Sequence, residues 1–546
     1  MRLFSRSDSF ASSGLVSFAA IAVSCVLSMG CGDNGSERNS TTASKPSDNI
    51  GNKDAQAAMG PEDSADQAEI DKMEQAKAAQ LNLAKAALEP DFYKTWPKPK
   101  AMLFITGQQN GYIEPCGCTG LDKQKGGIAR RFTFIKQLKK EGYQLIPVDA
   151  GNQVRRIGQQ ALIKLASSDA ALEKMEYQSI GFGPDDMRLP AVELLAVVAA
   201  DDPESARYVS SNVVVFDESL VPSHKVVQQG GMKVGLTNVL DPKMVSDGVS
   251  ADVEISDPVE TLPGTLQAME SDGAQVKVVT FFGSEESARE LVGKVDGIDL
   301  IVVAGRFGEP THKPELIKGS KTQMIATGTK GMYAGLVGLY DDLPLKYARV
   351  PLSHEFGDDK GMRMLMAEYQ KELEMLGLKR LGVQPVPHPS GNTFVGTKAC
   401  QDCHQDAYEI WEGSPHAHAT DSIVSPPEAR GDVPRHFDPE CLSCHVTGWN
   451  PQDYFPYESG YVDLTSSKHL HGNGCENCHG PGNAHVAAEQ EGSGASDSDK
   501  EKFRLQMQLP LSKAKLHCMK CHDLDNSPDF HEKDAFEDNY WPQIEH

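Results

Sequence analysis

Four pentapeptides in the last third of the chain share one spacing: Cys400-Gln401-Asp402-Cys403-His404, Cys441-Leu442-Ser443-Cys444-His445, Cys475-Glu476-Asn477-Cys478-His479 and Cys518-Met519-Lys520-Cys521-His522. In each, a histidine directly follows two cysteines that are separated by two residues. Thiols at this spacing can each add to one vinyl group of a haem, and the adjacent histidine then binds the iron. Neither a zinc ribbon nor a disulfide requires that histidine. The motifs therefore predict four covalently bound haem c groups, with proximal ligands His404, His445, His479 and His522.

The histidines are concentrated around these motifs. The chain has 17, and 13 of them lie from His404 onward. A haem that transfers electrons needs a second strong axial ligand, commonly histidine or methionine. The histidines outside the motifs exceed the four places available, so the sequence can supply these distal ligands.

The residues around the motifs resemble the tetrahaem cytochrome c-554 family over about residues 393–531. The resemblance rests on Val395-Gly396-Thr397, on His416-Ala417-His418-Ala419, on Val446-Thr447-Gly448 and on Gly480-Pro481-Gly482. It implies a mainly α, loop-rich domain of a kind that shuttles electrons in the periplasm. It also implies candidate distal ligands, namely His416 or His418, then His485, and either His469 or His471.

The first 31 residues are typical of an export signal. Arg2 and Arg6 precede an apolar stretch at residues 14–27 that is too short to span a bilayer comfortably. The stretch ends in Leu27-Ser28-Met29-Gly30-Cys31, which resembles a lipobox and predicts a lipid anchor on Cys31. Ordinary signal cleavage and a retained anchor are the alternatives. Residues 32–95 are predicted as a flexible tether followed by a spacer helix.

Residues 96–384 alternate short apolar runs with helical stretches. The runs at 101–105, 144–148, 276–280 and 300–304 predict buried strands, and residues 128–140 and 287–295 predict helices. This order indicates an α/β domain. Three prolines among residues 385–389 stiffen a predicted hinge at 385–392, after which the haem-binding part occupies residues 393–546.

The order of landmarks in the α/β part resembles the metallophosphoesterase domain of periplasmic 5'-nucleotidases, and it implies an α/β metallophosphoesterase-like sandwich. That family carries Asp-x-His-Gly, Gly-Asn-His and Gly-His-x-His. The corresponding stretches here are Gln108-Gln109-Asn110-Gly111, Gly151-Asn152 and Gly305-Arg306-Phe307-Gly308. Because a two-metal hydrolase needs the carboxylates and imidazoles that are replaced here, we do not expect ordinary phosphoesterase activity.

A Cys116-Gly117-Cys118 sequence follows the first of these landmarks. Two thiols one residue apart form a strained bridge when oxidised, and such bridges are easily reduced. The pair could instead bind a soft metal together with Asp185, Asp186 or His312, or form an inert structural disulfide. Cys116 and Cys118 are the candidate catalytic residues, and the three interpretations stay open.

The formal charge of −24 excludes nucleic acid as a partner and favours a soluble surface and a basic redox partner. The sequence predicts an exported multihaem cytochrome that exchanges electrons with a periplasmic or membrane partner and is coupled to Cys116 and Cys118. Three alternatives remain. The chain could be a pure electron carrier, a metallophosphoesterase-type hydrolase with a fused cytochrome, or an oxidoreductase of small nitrogen or sulfur species at a five-coordinate haem.

Overall fold

The computed structural model describes residues 90–116, 120–200, 202, 204–246, 248–427 and 430–546. The predicted export signal, tether and spacer helix lie outside these residues, and so do Cys31 and Cys118. None of the helices in the described part of the chain combines the length and the hydrophobicity that crossing a membrane requires.

Two β-sheets form the centre of the α/β part. Its strands are β1 (Ala101–Thr106), β2 (Leu145–Asp149), β3 (Ser179–Ile180), β4 (Val213–Val215), β5 (Lys225–Gln229), β6 (Met232–Leu240), β7 (Val253–Ile255), β8 (Val276–Phe282), β9 (Leu300–Ala304), β10 (Glu315–Leu316), β11 (Gln323–Ala326), β12 (Tyr333–Leu339) and β13 (Lys346–Pro351). One sheet has the order β13-β12-β1-β2-β3, and the other has the order β10-β11-β9-β8-β6-β5. Both are mixed, since β1–β2 and β6–β8 pair parallel while β1–β12 and β5–β6 pair antiparallel.

Helices cover the outer faces of the two sheets. They are α1 (Ile128–Lys140), α2 (Gln159–Lys174), α3 (Ala191–Val198), α4 (Pro258–Ser271), α5 (Glu285–Val292) and α6 (Lys360–Arg380). Every residue of β1 is buried, and because side chains alternate along a strand they enter two different cores. Leu103 packs between the sheets against Leu236, whereas Phe104 packs outward in the core that contains Phe134 of α1. The result is a helix–sheet–sheet–helix sandwich.

The predicted elements of the α/β part are confirmed, with small shifts at their ends. The runs at 101–105 and 300–304 are strands β1 and β9, and residues 128–140 are α1. Helix α5 (Glu285–Val292) begins two residues before the predicted start and ends three residues before the predicted end at residue 295. The early start is explained by its cap, because the Ser284 hydroxyl accepts a hydrogen bond of 2.9 Å from the backbone N–H of Ser287.

The part that carries the motifs is mainly α and rich in loops, as expected. Its helices are α7 (Gln405–Glu412), α8 (Ala419–Val424), α9 (Pro439–His445), α10 (Cys475–His479), α11 (Asn483–Glu489), α12 (Asp497–Gln506) and α13 (Leu511–Cys518), and its strands are β14 (Trp449–Asn450) and β15 (Phe455–Pro456). Its apolar clusters are small, the larger one gathering Leu442, Val446 and Trp449. The predicted hinge at 385–392 contains no helix, and Val386 forms a single bridge to Tyr457. The proposed domain limits stay a prediction.

Candidate functional site

The cysteines and histidine of the second motif lie on helix α9. Asp438 caps this helix by accepting a 2.9 Å hydrogen bond from the backbone N–H of Glu440, and Pro439 occupies its first position. Residues three and four positions apart share one side of a helix. Cys441, Cys444 and His445 therefore face the same way, as attachment to one haem requires.

Hydrogen bonds orient three of the four motif histidines. Nδ1 of His445 lies 2.7 Å from the carbonyl oxygen of Ala419, and Nδ1 of His479 lies 2.7 Å from that of Met507. A carbonyl only accepts, so each Nδ1 carries the proton and each lone pair is on Nε2. Nδ1 of His522 lies 2.8 Å from the hydroxyl of Ser527. This arrangement is the usual outer-shell support of a metal-binding histidine.

Three histidine rings face the rings of motif histidines. The ring centroids are 6.3 Å apart for His404 and His485, 6.1 Å for His522 and His416, and 5.7 Å for His479 and His546. An imidazole nitrogen binds a metal at about 2 Å, so two rings that share one metal ion have centroids on the order of 6 Å apart. The side chains thus fit a haem iron between each pair.

Among the described residues, the remaining candidate distal ligands make no ring contact with a motif histidine, although His418 lines the same cavity as His445 and His471 forms a β-bridge to Val446. His418 is exposed, with its Nδ1 3.7 Å from the carboxylate of Asp421. His469 is exposed as well. The ring of His471 packs against Tyr461, with centroids 5.8 Å apart. His546 was not singled out by the sequence, because it belongs to no recognisable motif and only the surplus of histidines hinted at it.

A cavity of about 1370 Å³ lies where the α/β part meets the motifs; we call it the junction cavity. The cysteines that line it are Cys116, Cys441, Cys444, Cys478, Cys518 and Cys521. The motif histidines His445, His479 and His522 also line it. Its size and these donors fit covalently attached haem, and Cys116 shares the same wall.

Two arginines that precede the second motif hold the segment around Cys116. The guanidinium of Arg430 donates to the carbonyl oxygens of Pro115 and Cys116. Arg435, which is 3% exposed, donates to the carboxylate of Glu114 at 2.9 Å. Burial acts to raise the pKa of Glu114, but the charges of Arg430 and Arg435 outweigh burial and lower it. The ion pair therefore stays charged at neutral pH.

Residues that follow the fourth motif hold the other side of the same loop. Lys123 forms an ion pair with Asp529, and Gln124 donates a 2.7 Å hydrogen bond to the carbonyl of Asn526. Arg130 braces the loop from within by donating to the carbonyl oxygens of Leu121 (2.8 Å) and Gln124 (2.6 Å). Residues 114–116 and 120–124, which we call the Cys116 loop, are thus held between segments next to the second and the fourth haem-attachment motifs.

Helices α2 and α6 fix the start of the second motif. Lys164 pairs with Glu440 at 2.6 Å. The cap residue Asp438 accepts hydrogen bonds from the hydroxyl of Tyr369 at 3.0 Å and from the amide of Gln160 at 2.8 Å. The position of Cys441 therefore depends on the α/β part.

Side-chain amides come together in the stretches that correspond to the phosphoesterase motifs. The amide nitrogen of Asn152 lies 2.7 Å from the side-chain oxygen of Asn110 and 3.0 Å from the carboxylate of Asp185. Asp186 is buried and accepts three backbone N–H groups, yet burial raises its pKa to about 7. His312 is exposed. Within the described residues, no group of three or more His, Cys, Asp or Glu side chains could hold a metal ion.

Comparisons with known proteins support both sequence resemblances. A family model described as "Cytochrome c554 and c-prime" matches residues 399–480. Cytochrome c-554 of Nitrosomonas europaea is 33% identical over 97 residues, which is 16% of this chain and 39% of that protein. An apyrase of Aedes albopictus is 24% identical over 307 residues, or 51% of this chain and 53% of that protein.

Two solved structures of Thermus thermophilus proteins are similar to the α/β part. A 5'-nucleotidase precursor aligns with a TM-score of 0.44 and 16% identity, covering 61% of this chain and 80% of the other. A sulfate thiohydrolase aligns with a TM-score of 0.44 and 12% identity, covering 51% and 62%. The chain spans only 39% and 53% of the curated relatives. The chain therefore contains a region similar to cytochrome c-554, which implies covalently bound c-type haem, and an α/β part that is similar in sequence to part of an apyrase.

Proposed function

We propose that this chain is an exported electron-transfer protein that binds four haem c groups, one at each Cys-x-x-Cys-His motif. The similarity to cytochrome c-554 and the three facing histidine pairs support this assignment. The proposed axial pairs are His404 with His485, His522 with His416, and His479 with His546. When bound, haem c supplies reversible one-electron oxidation and reduction.

The contacts between cysteines of different motifs indicate the spatial order of the four haem sites. Cys400 lies beside Cys475, and Cys444 lies beside Cys521. Cys478 lies within electrostatic range of Cys518. The first motif is therefore next to the third, the third is next to the fourth, and the fourth is next to the second.

The second half of the proposal is that the haem sites exchange electrons with Cys116 in the α/β part. The observation that carries it is the position of the Cys116 segment, which Arg430 and Arg435 hold against the second motif in the wall of the junction cavity. Cys441 and Cys444 both lie within electrostatic range of Cys116. A loop held in this way presents its thiol to one end of the series of haem sites.

Counting electrons tests the coupling. The oxidised, haem-loaded protein is titrated coulometrically, with the haem bands followed in the visible spectrum. Four haems accept four electrons, and a disulfide between Cys116 and Cys118 accepts two more. We expect six electrons in the wild type and four in Cys116→Ser, with six retained in the hinge variant His388→Asn. Four electrons in the wild type would mean that the pair exchanges none and that the protein is a pure carrier.

Location and partner form the last part of the proposal. The chain is placed on the periplasmic side and anchored through a lipid on Cys31, where it meets a periplasmic or membrane redox partner. The export-signal pattern and the need to attach haem outside the cytoplasm support this placement. The acidic net charge favours a partner with a basic docking surface.

A further inference from the structure

The hydroxyl of Tyr112 is buried beside the junction cavity and has no hydrogen-bond partner among the described residues. The backbone of Gly126 lies close to the ring, since a Cβ atom added there would come within 3.2 Å of its Cε1 atom. The ammonium group of Lys330 lies 5.3 Å from the ring centroid. Buried hydroxyls in folded proteins nearly always have a partner, so an acceptor from outside these residues is expected at this oxygen.

The phenol is available as a donor because it stays protonated. Burial raises the pKa of Tyr112 well above its usual value, and Cys116 and Asp525 add to the rise. Arg430 and Arg130 oppose it without reversing it. A neutral phenol forms its strongest hydrogen bonds with charged acceptors such as carboxylates.

Positively charged groups lie close to Tyr112 in the cavity wall. Arg430 lines the junction cavity and its charge acts on the phenol. Arg430 and Arg435 share one carboxylate, that of Glu114. This cluster of two guanidinium groups and one carboxylate carries one positive charge in excess, in a chain whose net charge is −24. The cluster therefore favours an anion beside it.

We propose that Tyr112 is the hydrogen-bond donor of a site for a carboxylate or a small oxyanion in the junction cavity, next to Cys116. Two sources supply this chemistry. One is a propionate of the haem attached at Cys441 and Cys444, and the other is a free small oxyanion from solution. The site goes beyond the proposed electron transfer, because neither haem attachment nor electron exchange with Cys116 uses the hydroxyl of Tyr112.

The test compares two phenols in the haem-loaded, full-length protein. Tyr112→Phe removes the proposed donor and keeps the ring. Tyr208→Phe is the matched control, because its hydroxyl is also buried without a partner among the described residues but does not line the cavity. Neither substitution breaks a hydrogen bond between described residues, so both variants are expected to fold and to bind haem.

Two measurements distinguish the sources. Calorimetric titration with formate and sulfate measures binding of free oxyanions, and spectroelectrochemistry without added anion measures the haem midpoint potentials. For a free oxyanion, the affinity falls about 10- to 100-fold in Tyr112→Phe, the range expected for a lost hydrogen bond to a charge, while the potentials stay unchanged. For a propionate, one haem potential falls in Tyr112→Phe alone, since the carboxylate charge is then less compensated and favours ferric iron.

The proposal is overturned if Tyr112→Phe matches the wild type and Tyr208→Phe in both the potentials and the anion affinities. A rise in unfolding temperature in Tyr112→Phe with both properties unchanged overturns it too, because it shows that the hydroxyl has no partner in the loaded protein. Either result leaves the electron count at Cys116 unaffected. Failure of this inference and failure of the proposed function are therefore distinguishable.

Discussion

Arg435 and Glu114 meet across the junction of the two parts, with a guanidinium nitrogen 2.9 Å from a carboxylate oxygen. The residues are 321 positions apart in the chain. Arg435 lies six residues before the second haem-attachment motif and Glu114 lies two residues before Cys116. A single ion pair therefore connects the two sites that the proposed function links.

Removing the charge of Glu114 is expected to destabilise the protein. In Glu114→Gln, the buried guanidinium of Arg435 loses its carboxylate, and losses from broken buried pairs are about 3–5 kcal/mol. The side chain of Glu114 is 28% exposed, so we expect the free energy of unfolding to fall by about 2–3 kcal/mol. Urea unfolding of the haem-loaded protein measures this loss. Glu315→Gln is the control, because its pair with Arg289 is exposed and is worth less than about 1 kcal/mol. Equal losses in the two variants would contradict a structural role for the junction pair.

The same ion pair makes stability depend on pH. The pKa of Glu114 is lower in the folded protein than its usual value of 4.5. Its contribution to stability is therefore fully present above about pH 4.5 and is lost as the pH falls through the folded pKa. Between pH 6 and pH 3, the wild type should lose more unfolding free energy than Glu114→Gln. Parallel curves for the two proteins would show that the carboxylate is not stabilised by the arginines.

Two neighbouring histidines should behave differently. His416→Ala removes a ring whose centroid lies 6.1 Å from that of His522, so one haem should change from low spin to high spin in the EPR and visible spectra. His418→Ala removes an exposed ring beside Asp421 and should leave the spectra unchanged. The reverse result would exchange the roles of the two residues.

His546 should be an axial ligand. Its Nδ1 lies 2.8 Å from the carbonyl oxygen of Ile544, which leaves the lone pair on Nε2. His546→Ala is expected to produce a high-spin signal that exogenous imidazole abolishes. His531→Ala is the control, because Nε2 of His531 is occupied by a hydrogen bond to the carbonyl of His522 at 2.8 Å. A fully low-spin His546→Ala protein would rule this ligand out.

Lipid anchoring can be tested at Cys31. In cells fed a labelled fatty acid, the wild type should carry the label and sediment with membranes, while Cys31→Ser should do neither. Cys25→Ser is the matched control within the same signal, and it should behave like the wild type. Label in Cys31→Ser would assign the anchor to another residue.

The sequence predicted the parts of the fold that depend on local pattern. Strands β1 and β9 are nearly continuous apolar runs, so they could be located from the sequence pattern alone. The haem-attachment motifs were equally visible, because their chemistry requires adjacent residues. The start of α5 was missed by two residues, since the cap at Ser284 has more influence there than the apolar period.

The junction could not be predicted, because its contacts join residues that are remote in sequence. Lys164 and Glu440 are 276 positions apart, and neither residue stands in a recognisable motif. The short distance between the rings of His479 and His546 likewise depends on how several short helices fold back on each other. Such pairs leave no periodic signal, so only the folded chain brings them together.

The fixed position of the Cys116 segment has a kinetic consequence. A loop held by Arg430 in the same chain as the motifs does not need to diffuse to them. Any electron exchange between the two should therefore be first order and unaffected by dilution. Exchange with a separate carrier, by contrast, should speed up with that carrier's concentration and slow down as salt screens the acidic surface.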